Sequence, residues 1–180
     1  MNHDAYPDSY IRGILNTVKT IAMVGFSPNT SRPSYFVFKY FLERGTRVIP
    51  VNPGHAGKEI LGERIYGKLA DIPEPVDMVD IFRASEFVPG VVQEALALKP
   101  LPQVIWMQLE IRNDAAAAMA EAAGIKVVMN RCPKIEYGRL SSEISWMGIN
   151  SRTLSSKRGQ ILPGGVQRMG LGNAGDKKND

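Results

Sequence analysis

Short runs of apolar residues alternate along this chain with longer segments whose apolar positions recur every three or four residues. The segment "DSYIRGILNTVK" spaces Tyr10, Ile14, Leu15 and Val18 at near-helical intervals, with Asp8 or Ser9 placed to act as N-cap. "TIAMVG" reads as a buried strand over residues 21–24. Pro33 then suits the first turn of a helix whose apolar face would carry Phe36, Val37, Tyr40 and Phe41 before Gly45 stops it. "RVIPVNP" gives a second strand over 47–51, in which Pro50 is tolerable only near a strand end. Gly54, Gly57, Gly62 and Gly67 come next, and then a short turn closed by Pro73 and Pro75, so no long helix fits there. "DMVDIF" (77–82), "QVIWMQ" (103–108) and "KVVMN" (126–130) are three further strands. Between them lie "SEFVPGVVQEALAL", with Ser85 as N-cap, and the alanine-rich "RNDAAAAMAEAAG", ended by Gly124. This alternation predicts an α/β three-layer sandwich: a mainly parallel five-stranded sheet with helices on both faces.

Right-handed crossovers bring every loop that leaves a strand to one edge of such a sheet, and ligands bind at that edge near the switch in strand order. Five pieces are therefore expected to converge: 25–34, 52–57, 83–86, 108–112 and 130–137. The first begins "GFSPNTSRPSY". Gly25 lets backbone pass close to a ligand, Ser27, Ser31 and Ser34 offer hydroxyls, Arg32 a charged fork, and the helix after Pro33 its unpaired amides. That combination suits a phosphate or pyrophosphate, although a tight turn with an ordinary polar cap has the same composition. It is neither the G-x-G-x-x-G pattern, since position 27 is Ser and the next glycine is Gly45, nor a Walker loop. The loop after the second strand reads "PVNPGHAGKE", with Asn52 where a dinucleotide fold places an acid, and with His55 and Lys58 nearby. Such a rim disfavours an unphosphorylated ribose and tolerates a phosphorylated one.

Composition narrows the partners. The net charge of +4 lies wholly in residues 151–180, which hold six basic and two acidic residues, leaving 16 of each in residues 1–150. A neutral body argues against nucleic acid, whose affinity rests on many phosphate contacts. The chain is expected to form one domain over 1–140 and then a basic, Gly/Ser-rich, flexible tail over 141–180, in which "ILPGGVQRM" has the character of a segment that docks on the body or pairs protomers. No stretch has membrane-span or signal length, and the single cysteine fits a reducing compartment, so the expectation is a cytoplasmic protein without membrane contact.

One cysteine and two histidines give no cluster with metal-ligand spacing. Cys132, between Arg131 and Lys134 on the ligand edge, is either a buried or half-buried small residue in a tight R-C-P turn or a thiol activated by its cationic neighbours. Glu110, Glu136, Glu143 and Tyr137 have the chemistry of an acid or base, of which Glu136 and Tyr137 read better as pocket-closing or interface groups, and Trp106 reads as core or pocket wall.

The motifs G-x-S with R-P-S, V-N-P-G, V-D-x-F-R, W-x-Q and "RCPKIEY", taken together over residues 8–140, resemble the small single-domain CoA-binding proteins of Rossmann-like fold. These are similar to the N-terminal domain of the succinyl-CoA synthetase alpha subunit. The resemblance implies that Gly25, Ser27, Arg32 and Ser34 meet the CoA phosphates and that Val51, Asn52 and Pro53 lie beside adenine and ribose. It further implies Lys58 near the 3'-phosphate, with Phe82, Arg83 and Trp106 along the pantetheine arm. Phe26 is large where the family often has a small residue, which predicts a narrowed entrance. The synthetase's phosphohistidine has no counterpart in His3 or His55, so no catalytic residue is assigned. The leading expectation is a module binding CoA or a short acyl-CoA, with a homodimer allowed. An NAD(P)-dependent oxidoreductase and an interaction protein with a vestigial nucleotide site are the alternatives.

Overall fold

Five strands make one parallel sheet: β1 (Thr20–Val24), β2 (Arg47–Val51), β5 (Met78–Ile81), β6 (Val104–Met107) and β7 (Lys126–Val128), in the order β2-β1-β5-β6-β7. The structure, a computed structural model, describes residues 1–141, so the tail expected from 141 onward and Glu143 lie outside the described residues except for Ser141. Two short strands, β3 (Glu59–Ile60) and β4 (Glu63–Arg64), form a hairpin in the glycine-rich connection that was expected to hold no long helix.

Side-chain alternation along each strand divides the core into two layers. Ile21, Met23, Met78, Val104, Trp106 and Val128 face one way, toward α1 (Asp8–Thr17), α2 (Pro33–Glu43) and α5 (Pro133–Leu140). Ala22, Val24, Val79, Ile81, Ile105 and Val127 face the other way, toward α3 (Val88–Leu96) and α4 (Asp114–Ala122). The Rossmann-like three-layer sandwich is therefore the fold. Small residues at Ala116, Ala117 and Ala120 let α4 lie close on its side of the sheet.

Both edges of the sheet are closed by the chain itself. The Pro50 carbonyl accepts from the Tyr66 amide at 2.9 Å, and the Tyr66 carbonyl accepts from Asn52 at 2.8 Å, outside edge strand β2. In a strand a residue's N and C=O point the same way, so the N–H that Pro50 lacks would also face Tyr66 and not β1; the edge position resolves the proline.

Four local expectations need correcting. On α2 the buried residues are Ser34, Val37, Phe38 and Phe41, while Phe36 is 52% exposed, because the 34/37/38/41 spacing traces one helical stripe that skips position 36. The N-cap of α1 is Pro7, and Asp8 lies within the first turn. Residues Ser85–Phe87 form a 3₁₀ turn, and α3 starts only at Val88, so Ser85 caps nothing; its hydroxyl accepts instead from the Arg112 amide at 3.1 Å. The "RCPKIEY" block, for which the periodicity predicts no helix, carries one: Pro133 opens α5 at its first position, after Cys132 as N-cap.

Candidate functional site

The strand order reverses between β1 and β5, because the chain steps from β1 outward to β2 and then back past β1 to β5. The loops leaving these two strands flank the crevice where α/β folds bind ligands. They touch at Gly25. This residue has φ +83°, and a Cβ on it would lie 3.1 Å from the Phe82 carbonyl carbon and 3.1 Å from the Arg83 side chain. The missing side chain therefore serves loop-against-loop packing. The Phe82 amide donates to the Val24 carbonyl at 2.8 Å and seals the same contact.

The loop after β1 is laced to its neighbours. The Val51 carbonyl accepts from the amides of Gly25 and Phe26, at 3.0 and 3.3 Å, and Asn52 Nδ2 donates to the Phe26 carbonyl at 2.6 Å. Asn52 Oδ1 caps the 3₁₀ turn Pro53–His55 by accepting from Gly54 at 2.8 Å. Ser34 Oγ accepts from the Ser27 amide at 3.0 Å, Ser27 Oγ from Asn29 at 3.3 Å, and Asn29 Oδ1 from the amide and hydroxyl of Ser31 at 2.9 and 2.8 Å. Gly25, Ser27, Ser34, Val51, Asn52, Phe82 and Arg83 are thus brought together at one edge. Ser34 and Val51 are buried, so they act as braces and present no side-chain surface.

Three cations stand on the loops of this edge without a carboxylate partner among the described residues. Arg32, the N-cap residue of α2, is exposed, and no side-chain hydrogen bond ties it. Lys58, in the loop after β2, is exposed as well. The Arg83 guanidinium stacks over Phe87, 4.5 Å from the ring centre. Arg47, by contrast, is paired with Glu63 and Glu74, and Arg139 with Asp8 and Glu136. Charges left unpaired on the loops of one crevice attract an anion.

Several predicted residues sit elsewhere. Trp106 is fully buried, and its indole N–H donates to the Arg131 carbonyl at 2.7 Å; it supports the 130–132 segment from below and borders no open route. Phe26 is fully buried against Phe38, ring centres 4.8 Å apart, so it points into the core and leaves the entrance alone. Tyr137 also belongs to the core, against Tyr40 and Phe41, and Glu136 is buried in an ion pair with Arg139. Cys132 is buried, and burial pushes its thiol pKa up; the amides of Ile135 and Lys134 and the Lys134 charge oppose this without reversing it. An activated thiolate is not what this environment makes.

Sequence reasoning passed over Asp80 and Gln108, although both belong to motifs it used, V-D-x-F-R and W-x-Q. Asp80 is fully buried, in register with Met23 on one side and Trp106 on the other. Its sole bonded neighbour among the described residues is the Gln108 amide, 3.0 and 3.1 Å from the two oxygens. Burial pushes its pKa up to about 8 and the amide opposes this only in part. An aspartate inside an otherwise apolar strand was the available signal. Beyond this pair, Asn130 Oδ1 accepts from the Glu110 amide at 2.8 Å, with both residues at positive φ, and joins the loops after β6 and β7. No group of three or more potential metal ligands occurs among the described residues, and no helix there is long and apolar enough to cross a membrane. A shallow pocket of about 130 Å³ beside Leu69, Pro73, Pro75 and Pro100 lies at the opposite end of the strands, away from this edge.

Residues 19–138 match the CoA binding domain family, and the chain belongs to it. Over 127 residues it is 37% identical to the uncharacterized protein YneT of Bacillus subtilis, covering 71% of this chain and 91% of that protein. A solved structure from Thermus thermophilus is 39% identical, with a TM-score of 0.70, and the match covers 74% of this chain and 98% of that one. Over 80 residues the chain is 32% identical to the alpha subunit of the ADP-forming acetate–CoA ligase I of Pyrococcus furiosus, covering 42% of this chain and 17% of that subunit. The resemblance read from the motifs agrees with this membership.

Proposed function

We propose that this chain binds coenzyme A or a short acyl-CoA at the edge formed by the loops after β1, β2 and β5, and that binding is its task there. The observation that carries the reading is the set of unpaired cations, Arg32, Lys58 and Arg83, on loops that surround the switch point, two of them exposed. In this reading Arg32 and the first turn of α2 take the pyrophosphate. Gly25 and Ser27 line its path, Asn52 and Pro53 flank the adenosine, and Lys58 faces the 3'-phosphate. Phe82, Arg83 and the 130–132 segment border the pantetheine arm. Membership in a CoA-binding family and likeness to part of a CoA ligase subunit support the choice of ligand. Cys132, buried with a raised pKa, takes no covalent role.

Calorimetric titration with CoA, dephospho-CoA and NADP tests the reading. CoA is expected to bind at least tenfold more tightly than dephospho-CoA, since one charge-assisted contact is worth about 1.5 to 3 kcal/mol. Equal binding of the two would remove Lys58 and the 3'-phosphate from the account. No heat with CoA, in folded protein stripped of ligand, would overturn the reading as a whole.

A further inference from the structure

Among the described residues β7 ends the sheet and pairs only with β6, so its outer side has no strand neighbour there. Two tyrosine hydroxyls from the N-terminal ten residues take that place: Tyr10 donates to the Val127 carbonyl at 3.2 Å, and Tyr6 accepts from the Met129 amide at 2.8 Å. Their rings are stacked, with centres 6.0 Å apart and planes 9° from parallel. Tyr6 is held in turn from its far side. His3 Nδ1 lies 2.9 Å from the Tyr6 hydroxyl, and His3 Nε2 lies 3.4 Å from Glu121 on α4. Where His3 carries its proton on Nε2, the hydroxyl that receives the Met129 N–H gives its own proton to Nδ1. The chain of bonds then runs in one direction, from the Met129 amide through Tyr6 and His3 to Glu121. Burial raises the pKa of Tyr6, which keeps that proton in place.

The two tyrosines hold different kinds of backbone. Val127 lies within β7 and is already fixed by the ladder to β6. Met129 is the first residue beyond the strand, and after it the backbone turns through Asn130, at φ +53°, into the segment that carries Arg131 and Cys132. The Arg131 guanidinium lies 5.7 Å from the Tyr6 ring centre, and its carbonyl receives the Trp106 indole.

We propose that Tyr6 is a positioning residue: through the Met129 amide its hydroxyl fixes the direction in which the chain leaves β7, and so places the 130–132 segment at the pantetheine end of the ligand edge. The ligand part of this inference rests on the CoA reading above; the placement of the segment does not. Tyr10, whose partner lies within the strand, only closes the strand edge.

The test compares Tyr6→Phe with Tyr10→Phe in the full chain. For Tyr6→Phe, affinity for CoA is expected to fall about fivefold, the worth of one hydrogen bond in the order of the loop. Affinity for adenosine 3',5'-bisphosphate, which lacks the pantetheine arm, is expected to stay unchanged. The Trp106 indole N–H resonance, assigned with Trp146→Phe, is expected to move in Tyr6→Phe and to stay in place in Tyr10→Phe. An unmoved indole signal in Tyr6→Phe, or the same changes in both variants, overturns the proposal and leaves both tyrosines as edge caps. If the unaltered protein fails to bind CoA, the ligand reading falls, and the indole resonance alone still decides the placement. His3→Ala releases the same hydroxyl from its other side and serves if Tyr6→Phe does not fold; the indole shift is expected there in the same direction, and its absence overturns the proposal.

Discussion

Asp80 carries a carboxyl into a row of apolar side chains, with one amide for company. Unfolded, it releases its proton near its ordinary value of 3.8; folded, it holds the proton up to about 8. The contribution of this one carboxyl to stability is therefore most favourable below about pH 4, falls as pH rises between these two values, and levels off above pH 8. Asp80→Asn keeps the shape and an acceptor for Gln108 and removes the charge. It is expected to match the unaltered protein near pH 4 and to exceed it at pH 9 by up to about 6 kcal/mol, about 1.4 kcal/mol for each unit between the two values. Urea unfolding at pH 4, 6 and 9 checks this; parallel pH profiles for the two proteins would show that the carboxyl does not titrate across that range. Gly25 shows a different residue-level limit. That the position needs glycine was legible, but the reason was not, since the atoms a side chain would strike belong to Phe82 and Arg83, 57 and 58 positions away in the chain.

At the level of elements, periodicity placed every sheet strand to within two residues, because strands buried on both faces read as unbroken apolar runs. Helix starts were less legible where a cap was inferred from a side chain without its partner. Ser85 had the chemistry of a cap but its hydroxyl accepts from Arg112, whereas Asn113 caps α4 by accepting from Ala116 at 2.9 Å and also donates to the Ser85 carbonyl at 3.0 Å. Asn113→Ala is expected to cost between about 1 and 2 kcal/mol in urea unfolding at neutral pH, the sum of a lost cap and a lost tie between loops. A loss below about 0.3 kcal/mol would mean that solvent replaces both bonds. Helix α5 escaped notice because its polar, tyrosine-bearing sequence has little apolar periodicity; Tyr137 and Leu140 are buried by contacts with α1 and α2 that no local pattern announces.

On the scale of the molecule, the chain closes both sheet edges with its own residues, and three cations without a carboxylate partner among the described residues stand on the loops around the switch between β1 and β5. The location of that edge was legible in the order of strands and helices. The division of labour among its residues was not, because Trp106, Val51, Ser34 and Cys132 are distinguished from Arg32 and Lys58 only by burial. Arg32 is the group on which the account depends most. Titration calorimetry of CoA into the unaltered protein and into Arg32→Ala, with melting temperatures taken without ligand, tests it directly. The account predicts at least a tenfold loss of affinity, as expected for a charge-assisted contact, and an unchanged ligand-free melting temperature. Equal affinities, or a loss of binding that tracks a loss of stability, would contradict it.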